Sequence, residues 1–202
     1  MSKYPLPLSI PLGFKPTITQ RYGDTWNAQW YKEHNINMPF HNGLDCVIGD
    51  SIQTYGTKLV CPVPNAELSM TWFTDAMSTA GNGIQIGWDE GKDRYNLIFW
   101  HCSEIVSKPT YKEQDIVGYI GNSGLVSPPV TPQTPFAGSH LHLGLRKNNI
   151  LINPLDIFDE TKWYTSPDSG QEKDLPPLFW ALKYAQSQLA LLTSAVAKWL
   201  KK

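Results

Sequence analysis

Histidine is the residue type whose placement in this sequence most directly indicates chemistry. The chain has 202 residues and 5 histidines. All but His34 fall in three short segments, 41–45 (HNGLD), 99–103 (FWHCS) and 138–143 (GSHLHL). Imidazole binds transition metals and exchanges protons near neutral pH. If the three segments meet in the fold, they can form a metal site that activates water, which is the chemistry of a hydrolase.

The spacing within two of these segments supports a metal site. His41 and Asp45 are four residues apart and share one face of either a strand or a helix. Gly43 lies between them, where it would let a metal or a backbone segment approach closely. His140 and His142 alternate along a predicted strand, so both point to the same side, about 7 Å apart. Two imidazoles and a carboxylate form a common catalytic zinc shell that leaves a fourth position for water.

The remaining two histidines are interpreted differently. His101 is a titratable group that need not bind the metal in order to take part in the chemistry. His34 lies outside the three segments, and we interpret it as a solvated loop histidine.

Composition excludes several classes of protein. Hydrophobic residues make up 41% of the chain and charged residues 17%, which indicates a globular core. The net charge of −1 and the lack of an arginine-rich stripe argue against binding to nucleic acid. We expect no transmembrane segment, because no apolar run is long enough to cross a bilayer. We also expect no signal peptide, because prolines interrupt the first eight residues.

The 3 cysteines indicate little chemistry of their own. Cys46 and Cys102 each follow a candidate site residue, so on a strand each would face the core when its neighbour faces the site. Cys61 shows no C-x-x-C spacing with either of them. We predict three buried free thiols, with a Cys46–Cys61 disulfide left open as the alternative.

Residues 17–158 carry the pattern of an antiparallel β protein. Three segments alternate or are rich in β-forming residues, namely 83–88 (GIQIGW), 95–100 (YNLIFW) and 116–121 (IVGYIG). Glycine-containing turns separate them at 81–83, 89–92 and 121–124. Many short strands with frequent glycine turns are typical of antiparallel sheets. Residues 127–137 contain four prolines and are predicted to form a surface loop just before His140.

The two ends of the chain are predicted to lie outside this domain. Residues 1–16 are proline-rich and are predicted to form an extended segment that lies over the domain. Residues 159–177 are predicted to form a linker. Residues 178–202 form a predicted amphipathic helix. Its apolar seam repeats at spacings of three and four residues, through Leu178, Leu182, Ala185, Leu189, Leu192, Val196 and Trp199. The helix could dock onto the same chain, self-associate, or contact a membrane or partner surface.

Taken together, these motifs resemble the M23 (lysostaphin/LytM-type) zinc metallopeptidases. Segment 41–45 resembles their H-x-G-x-D motif, and segment 138–143 their G-x-H-L-H-F motif, with Leu143 where phenylalanine is usual. Residues 99–101 stand where the family has tyrosine–x–histidine. Residues 116–124 resemble its G-x-x-G-x-T-G turn, and residues 18–23 its opening strand. The resemblance covers about residues 16–158, in the order of the family.

The resemblance implies a site and an activity. It assigns one zinc ion per chain to His41, Asp45 and His142, and it makes His101 and His140 the catalytic pair. It implies a mainly antiparallel β-sheet or sandwich of the duplicated-hybrid-motif type, with the site in a groove. The implied activity is endopeptidase cleavage of bacterial peptidoglycan, in the stem peptide or the cross-bridge.

Two departures bear on the substrate more than on the chemistry. Phe99 replaces the usual tyrosine of the family motif. The proline-rich loop 127–137 is longer than the common link and is expected to lie beside the groove. Both leave the preferred substrate undetermined.

Proton transfer in such a site would fall to histidine, because the sequence has no H-E-x-x-H glutamate. We expect His140 to take the proton of water while zinc and His101 stabilise the oxyanion. The two histidines could also exchange these roles.

Two other functions compete with the peptidase. A catalytically silent scaffold, activator or virion component would typically have lost ligands, and none is lost here. A cupin-type metal enzyme is disfavoured because no glutamate follows the H-x-H of residues 140–142. We expect action on the cell wall, either in the periplasm or outside the cell. The enzyme would be secreted there or delivered by a phage, as an endolysin or with the virion.

Overall fold

The computed structural model describes residues 4–73 and 79–166, and these form two β-sheets. The five-stranded sheet contains, in order, β13 (Phe158–Ser166), β1 (Tyr4–Pro11), β4 (Lys58–Val60), β10 (Ile116–Ile120) and β8 (Cys102–Ile105). The eight-stranded sheet contains, in order, β2 (Thr17–Gln20), β3 (Leu44–Val47), β11 (Leu141–Lys147), β7 (Asp93–Trp100), β6 (Gly83–Glu90), β5 (Ala66–Trp72) and β9 (Thr110–Tyr111), with β12 (Ile150–Leu151) paired to β11.

The helices of the described residues are short. They are α1 (Ala28–Glu33), α2 (Ser51–Thr54) and a 3-10 turn at Pro154–Asp156. None of these helices is long and apolar enough to span a bilayer. The predicted mainly antiparallel β fold is confirmed, and the one parallel pair among the described strands joins β1 to β13.

The hairpin of β6 and β7 illustrates how the sequence produces this sheet. Every second residue of β6 faces the core, and each pairs with an apolar residue of β7, in the pairs Ile84–Phe99, Ile86–Leu97 and Trp88–Tyr95. Gly91 turns the chain between the two strands with a φ of 63°, a conformation that glycine adopts at little cost. The strands predicted at 83–88, 95–100 and 116–121 are confirmed.

Strand order brings the three histidine segments together. Strand β11 pairs with β3, which places His142 opposite Asp45, and with β7, which places His142 opposite Trp100. His140 forms an isolated bridge with Gly121 just before β11 begins. The site is therefore built on three adjacent strands and the loops at one end of them.

The predicted boundaries of the domain are too narrow at both ends. Residues 1–16 were expected to lie over the domain, but β1 pairs with β13 and β4 inside the sheet. Leu6, Leu8 and Ile10 of β1 are fully buried. Residues 159–166, which were assigned to a linker, belong to β13. The segment 167–177 and the predicted helix 178–202 lie outside the described residues.

Because β1 is part of the sheet, replacing a leucine within it should destabilise the protein much more than replacing the exposed leucine that follows it. Leu8→Ala should lower the free energy of unfolding by about 2–5 kcal/mol, because it removes a fully buried side chain. Leu12→Ala, at a residue that is 76% exposed just after β1, should change it by about 0.5 kcal/mol or less. Urea denaturation of both variants measures the difference. Equal effects would mean that β1 does not contribute to the core.

Candidate metal centre and groove

Three side chains converge at the end of β3 and β11. His41 precedes β3, Asp45 lies on β3, and His142 lies on the neighbouring β11. The His41 Nε2 atom is 3.2 Å from Asp45 Oδ1 and 3.1 Å from His142 Nδ1, and the last two atoms are 2.9 Å apart. These are the three residues to which the resemblance to the M23 motifs assigns the metal, and together they form a cluster that could hold an ion.

The distances within this cluster can be compared with those around a zinc ion. Tetrahedral zinc has ligand bonds of about 2.0–2.1 Å, so two of its ligand atoms lie about 3.3 Å apart. The three observed separations, 2.9 Å, 3.1 Å and 3.2 Å, are close to this value. Two imidazole nitrogens and one carboxylate oxygen are also donors that zinc accepts. The donor set and its spacing therefore fit a zinc ion with one further position open.

Backbone contacts fix the orientation of His41. Its Nδ1 lies 3.1 Å from the carbonyl oxygen of Arg21. Because a carbonyl can only accept, Nδ1 carries the proton, and Nε2 presents its lone pair to the cluster. Arg21 follows β2, which pairs with β3, so the sheet itself positions this contact.

Asp45 keeps its negative charge despite being largely buried. Burial raises its pKa, but the charge of His140 and the hydrogen bond from His142 outweigh the effect of burial and hold the pKa well below its usual range. A carboxylate that remains ionised can bind a divalent cation without first losing a proton.

Gly43 leaves the space that the His142 ring needs. A Cβ atom at Gly43 would lie 2.6 Å from His142 Nε2 and 2.7 Å from the carbonyl oxygen of Leu143. Both distances are shorter than van der Waals contact, so any larger residue would displace the ring or the strand. The sequence predicted a close approach at Gly43, and the approaching groups are this side chain and this backbone.

His101 and His140 lie beside the cluster with their rings facing each other. Their ring centroids are 4.6 Å apart, and His140 Nε2 is 3.8 Å from Asp45 Oδ2. The Nδ1 of His101 donates to the carbonyl oxygen of Ser123 at 2.8 Å, and that of His140 to Gly138 at 2.7 Å. In each neutral ring the Nε2 atom is therefore a bare acceptor, which suits a group that takes a proton.

The backbone of His101 is strained. Its φ of 60° lies in the left-handed region, which costs a residue with a Cβ about 1–3 kcal/mol. Two hydrogen bonds to the segment at residues 80–82 hold the conformation, from His101 N to Ala80 O at 3.1 Å and from Cys102 N to Asn82 O at 3.0 Å. The conformation ends β7 and places the ring of His101 toward His140.

Burial favours the neutral form of His101 and of His142. Burial, together with the charges of His140 and His142, lowers the pKa of His101 from 6.5 to about 3. Burial also lowers the pKa of His142, although its contact with Asp45 opposes this effect. At neutral pH the ring of His101 is uncharged in the folded protein.

A groove runs past these residues and has a volume of about 380 Å³. Its lining includes His41, Asp45, His142, His101 and His140. Residues 125–128 and 138–139 line part of it, so the proline-rich loop lies beside the groove as predicted. Residues of α1 and the segments on either side of it supply another part of the lining.

Sequence reasoning missed the role of Trp100. Its ring stacks on His142 with centroids 4.4 Å apart and an angle of 14° between the planes. The preceding Phe99 is fully buried in the core, so alternation along β7 turns Trp100 toward the groove. That alternation was readable in the sequence, whereas the pairing with His142 required the register of β11.

The other predictions for single residues have clear outcomes. The three cysteines are free and buried, as predicted, and no disulfide joins Cys46 to Cys61. His34 is exposed at the end of α1, where its ring lies 4.2 Å from that of Trp30. It is therefore a solvated histidine outside the cluster, but it contacts an aromatic residue of the groove.

The fit of glycine at position 43 can be tested through metal affinity. Gly43→Ala should weaken zinc binding about tenfold or more, because its Cβ would displace the His142 ring. Gly91→Ala is the control for a strained glycine replacement away from the cluster, since its φ of 63° disfavours alanine but a Cβ there meets no atom within 4 Å. Competition with a chromophoric chelator measures both affinities. Equal affinities in the two variants would contradict the assigned role of Gly43.

The lowered pKa of His101 predicts acid destabilisation of the metal-free protein. The unfolded chain takes up this proton near pH 6.5 and the folded chain only near pH 3. The stabilisation is thus fully present above pH 6.5 and is lost as the pH falls below it, by up to about 1.4 kcal/mol per unit. Urea unfolding in chelator at pH 7.5 and pH 5.5 should show this decrease.

Two variants test whether His101 causes the loss of stability at lower pH. His101→Gln should reduce the dependence on pH, while His34→Gln, at an exposed position, should leave it unchanged. A dependence that is the same in all three proteins would show that His101 does not cause it.

Comparisons with known proteins identify the fold. No protein-family model matches the sequence, and no curated protein matches it. Among solved structures, a zinc-containing peptidase from Vibrio cholerae matches with a TM-score of 0.51 and 16% identity over 75% of this chain and 39% of that one. A candidate glycyl-glycine endopeptidase LytM from Ruminococcus gnavus matches with a TM-score of 0.53 and 18% identity over 82% of this chain and 63% of that one.

A third matching structure belongs to a pore-forming complex and is not described as a peptidase. A chain of the SpoIIQ–SpoIIIAH pore-forming complex gives a TM-score of 0.52 and 15% identity over 79% of this chain and 93% of that one. This chain spans less than two thirds of the length of either of the two peptidases. The resemblance found in the sequence is thus confirmed at the level of the fold, which is that of the LytM-type (M23) peptidases.

Proposed function

We propose that this chain is a zinc-dependent endopeptidase that hydrolyses peptide bonds in bacterial peptidoglycan. The observation that carries the proposal is the convergence of His41, Asp45 and His142 at separations close to those around tetrahedral zinc. The groove beside this cluster, and two further histidines within it, add what a hydrolase needs besides a metal. The solved peptidases that share the fold support the same conclusion.

In this proposal His41, Asp45 and His142 hold one zinc ion per chain. Zinc in such a site supplies a Lewis acid that makes water a nucleophile at neutral pH. The Nε2 of His140 is a bare acceptor, so His140 takes the proton of the attacking water. Asp45 Oδ2, 3.8 Å away, stabilises the imidazolium that results.

The role of His101 follows from its hydrogen bond. Because its Nδ1 proton is donated to Ser123, the neutral ring has no second proton to give to a developing oxyanion. His101 can therefore stabilise an oxyanion, or protonate the leaving amine, only after it has itself received a proton. Because burial lowers the pKa of His101 to about 3, its neutral ring is a poor proton acceptor, so the proton of the water stays on His140 until it passes to the leaving amine. In this proposal His140 takes the role that a glutamate has in other zinc peptidases.

A catalytically silent scaffold is the second candidate. The fold also occurs in a chain of the SpoIIQ–SpoIIIAH pore-forming complex, and a shared fold does not by itself establish an activity. The presence of all three metal donors and of both proton acceptors favours the enzyme.

Peptidoglycan as substrate places the action of the chain at the cell wall. The enzyme would then work in the periplasm or outside the cell, or be delivered by a phage. The expected self-association or envelope contact through residues 178–202 remains a prediction. That the chain does not bind nucleic acid is likewise still a prediction.

Digestion of purified peptidoglycan tests the proposal directly. The zinc-loaded chain should release peptide fragments, and their masses identify the bond. His140→Ala should lower the release about a hundredfold or more while keeping one zinc per chain. His142→Ala should lose both zinc and activity. His34→Ala, outside the cluster, should keep both.

The outcomes separate the two candidate functions. No fragment from peptidoglycans of different cross-bridges, despite one bound zinc per chain, would contradict the peptidase and favour the scaffold. Undiminished release by His140→Ala would contradict the assigned proton acceptor while leaving the peptidase in place.

A further inference from the structure

Two tryptophans line the groove on the side of α1. Trp26 lies in the turn before this helix and Trp30 within it, four residues later. Trp26 is 66% exposed, and Trp30 is half-buried. Large aromatic faces that are open to water beside a candidate catalytic centre indicate a surface that a ligand covers. This side of the groove, formed by residues 19–20, 26–27, 30–31, 36 and 38, is the α1 wall.

Hydrogen bonds hold the α1 wall in place. Gln20 of β2 donates from Nε2 to the Tyr31 hydroxyl at 3.2 Å, and Asn27 donates to Gln20 Oε1 at 3.0 Å. Gln20 and Tyr31 are both buried, and Gln20 pairs with Asp45 across the strands. The wall is thus fixed to the strand that carries a metal donor, and a ligand that binds to it orders little of the protein.

The α1 wall contains polar groups but no charged residue. Thr19, Gln20 and Asn27 add a hydroxyl and two amides between the aromatic rings, and none of the residues that form the wall is acidic or basic. A charged ligand would lose water there without gaining an opposite charge. The wall therefore suits an uncharged ligand that has apolar faces and hydrogen-bonding edges.

A second groove adjoins the first at this wall. Its volume is also about 380 Å³, and Ile36 and Met38 line both grooves. Asn35 and Asn37 add two more amides to its lining. The surface beside the catalytic centre thus continues past the α1 wall, which suits a segment of a polymer better than a single side chain.

Peptidoglycan has two components that could cover this surface. Its peptides consist mainly of alanine, glycine and charged residues, so they offer no large apolar side chain to a tryptophan. Its glycan strands consist of N-acetylated sugars, whose rings have apolar C–H faces and whose edges carry hydroxyl and amide groups. A strand whose carboxyl groups are joined to peptide as amides is also uncharged. The glycan is therefore the component whose chemistry matches the wall.

We propose that the α1 wall binds the glycan strand of peptidoglycan, with a sugar ring stacked on Trp26. This inference rests on the proposed peptidase function and narrows its substrate to peptides that are still attached to glycan. Trp26 is expected to contribute most, because its ring is the more exposed of the two tryptophans. Binding of the glycan, away from the bond that is cut, should make a glycan-linked peptide a better substrate than the same peptide alone.

Calorimetric titration with a tetramer of β-1,4-linked N-acetylglucosamine tests the binding site in the zinc-loaded full chain. We expect saturable binding, which Trp26→Ala weakens about tenfold or more. Trp26→Leu should lose as much, because leucine is apolar but has no ring face. Leu12→Ala, at an exposed apolar residue outside the groove, should keep the full affinity. No saturable binding by the unmodified chain, or full affinity in Trp26→Leu, would overturn the proposal.

Cleavage tests the consequence for the substrate. One substrate is a cross-linked peptide that carries its disaccharides, and the other is the same peptide after an amidase has removed the sugars. We expect kcat/KM to be about tenfold or more higher for the glycan-linked peptide, and Trp26→Ala to reduce this ratio to about threefold or less. Leu12→Ala should keep the ratio. Equal values for the two substrates in the unmodified chain would contradict the proposed preference.

Binding also separates this inference from the proposed function. If the tetrasaccharide binds through Trp26 but no peptide is cut, the glycan site stands and the peptidase is contradicted. If peptides are cut but the tetrasaccharide does not bind, the peptidase stands and the glycan site is contradicted. Sedimentation equilibrium covers another occupant. A dimer that Trp26→Ala dissociates, with no change in affinity for the sugar, would make the wall an interface between two copies and overturn the proposal.

Discussion

The register of β11 is the constraint on which the candidate site depends. This strand lies between β3 and β7, and its pairing sets His142 opposite Asp45 on one side and opposite Trp100 on the other. Successive residues of a strand face opposite sides, so a shift of one residue would turn His142 into the core and Leu143 into the groove. Buried Leu141, Leu143 and Leu145 prevent that shift, because each would have to leave the core. The hydrophobic core thus holds the metal donors in position.

A second constraint is that the histidines at the edge of that core need hydrogen-bond partners. His41, His101 and His140 each donate their Nδ1 proton to a backbone carbonyl. These bonds come from three different loops, yet they have the same effect, since each leaves the Nε2 lone pair facing the site. The backbone therefore sets the protonation of the side chains that would bind metal and accept protons. The strained φ of His101 is the local cost of this arrangement.

The two sides of the groove differ in polarity. The strand ends supply histidines and a carboxylate, whereas α1 and the loop before β11 supply tryptophans and aliphatic side chains. A polar centre beside an apolar wall is typical of sites in which a few polar groups fix the reacting atoms and apolar contacts provide affinity. The hydrogen bonds of Gln20 and Tyr31 connect the two halves, because they tie α1 to the strand that pairs with Asp45.

Residue types and local periodicity can be read from the sequence alone. Alternation predicted the central strands, because it depends on neighbours along one strand, and the clustering of the histidines into three segments indicated a metal site. The resemblance to the M23 motifs, and not the spacing, assigned the ligands. Contacts between distant residues required the folded chain. The tertiary structure placed β1 inside a sheet through a parallel pairing with a strand more than 140 residues away, and it stacked Trp100 on His142. It also bonded His101 to Ser123. Such contacts form between segments far apart in the chain, so no local pattern encodes them, and the core has to assemble before they exist.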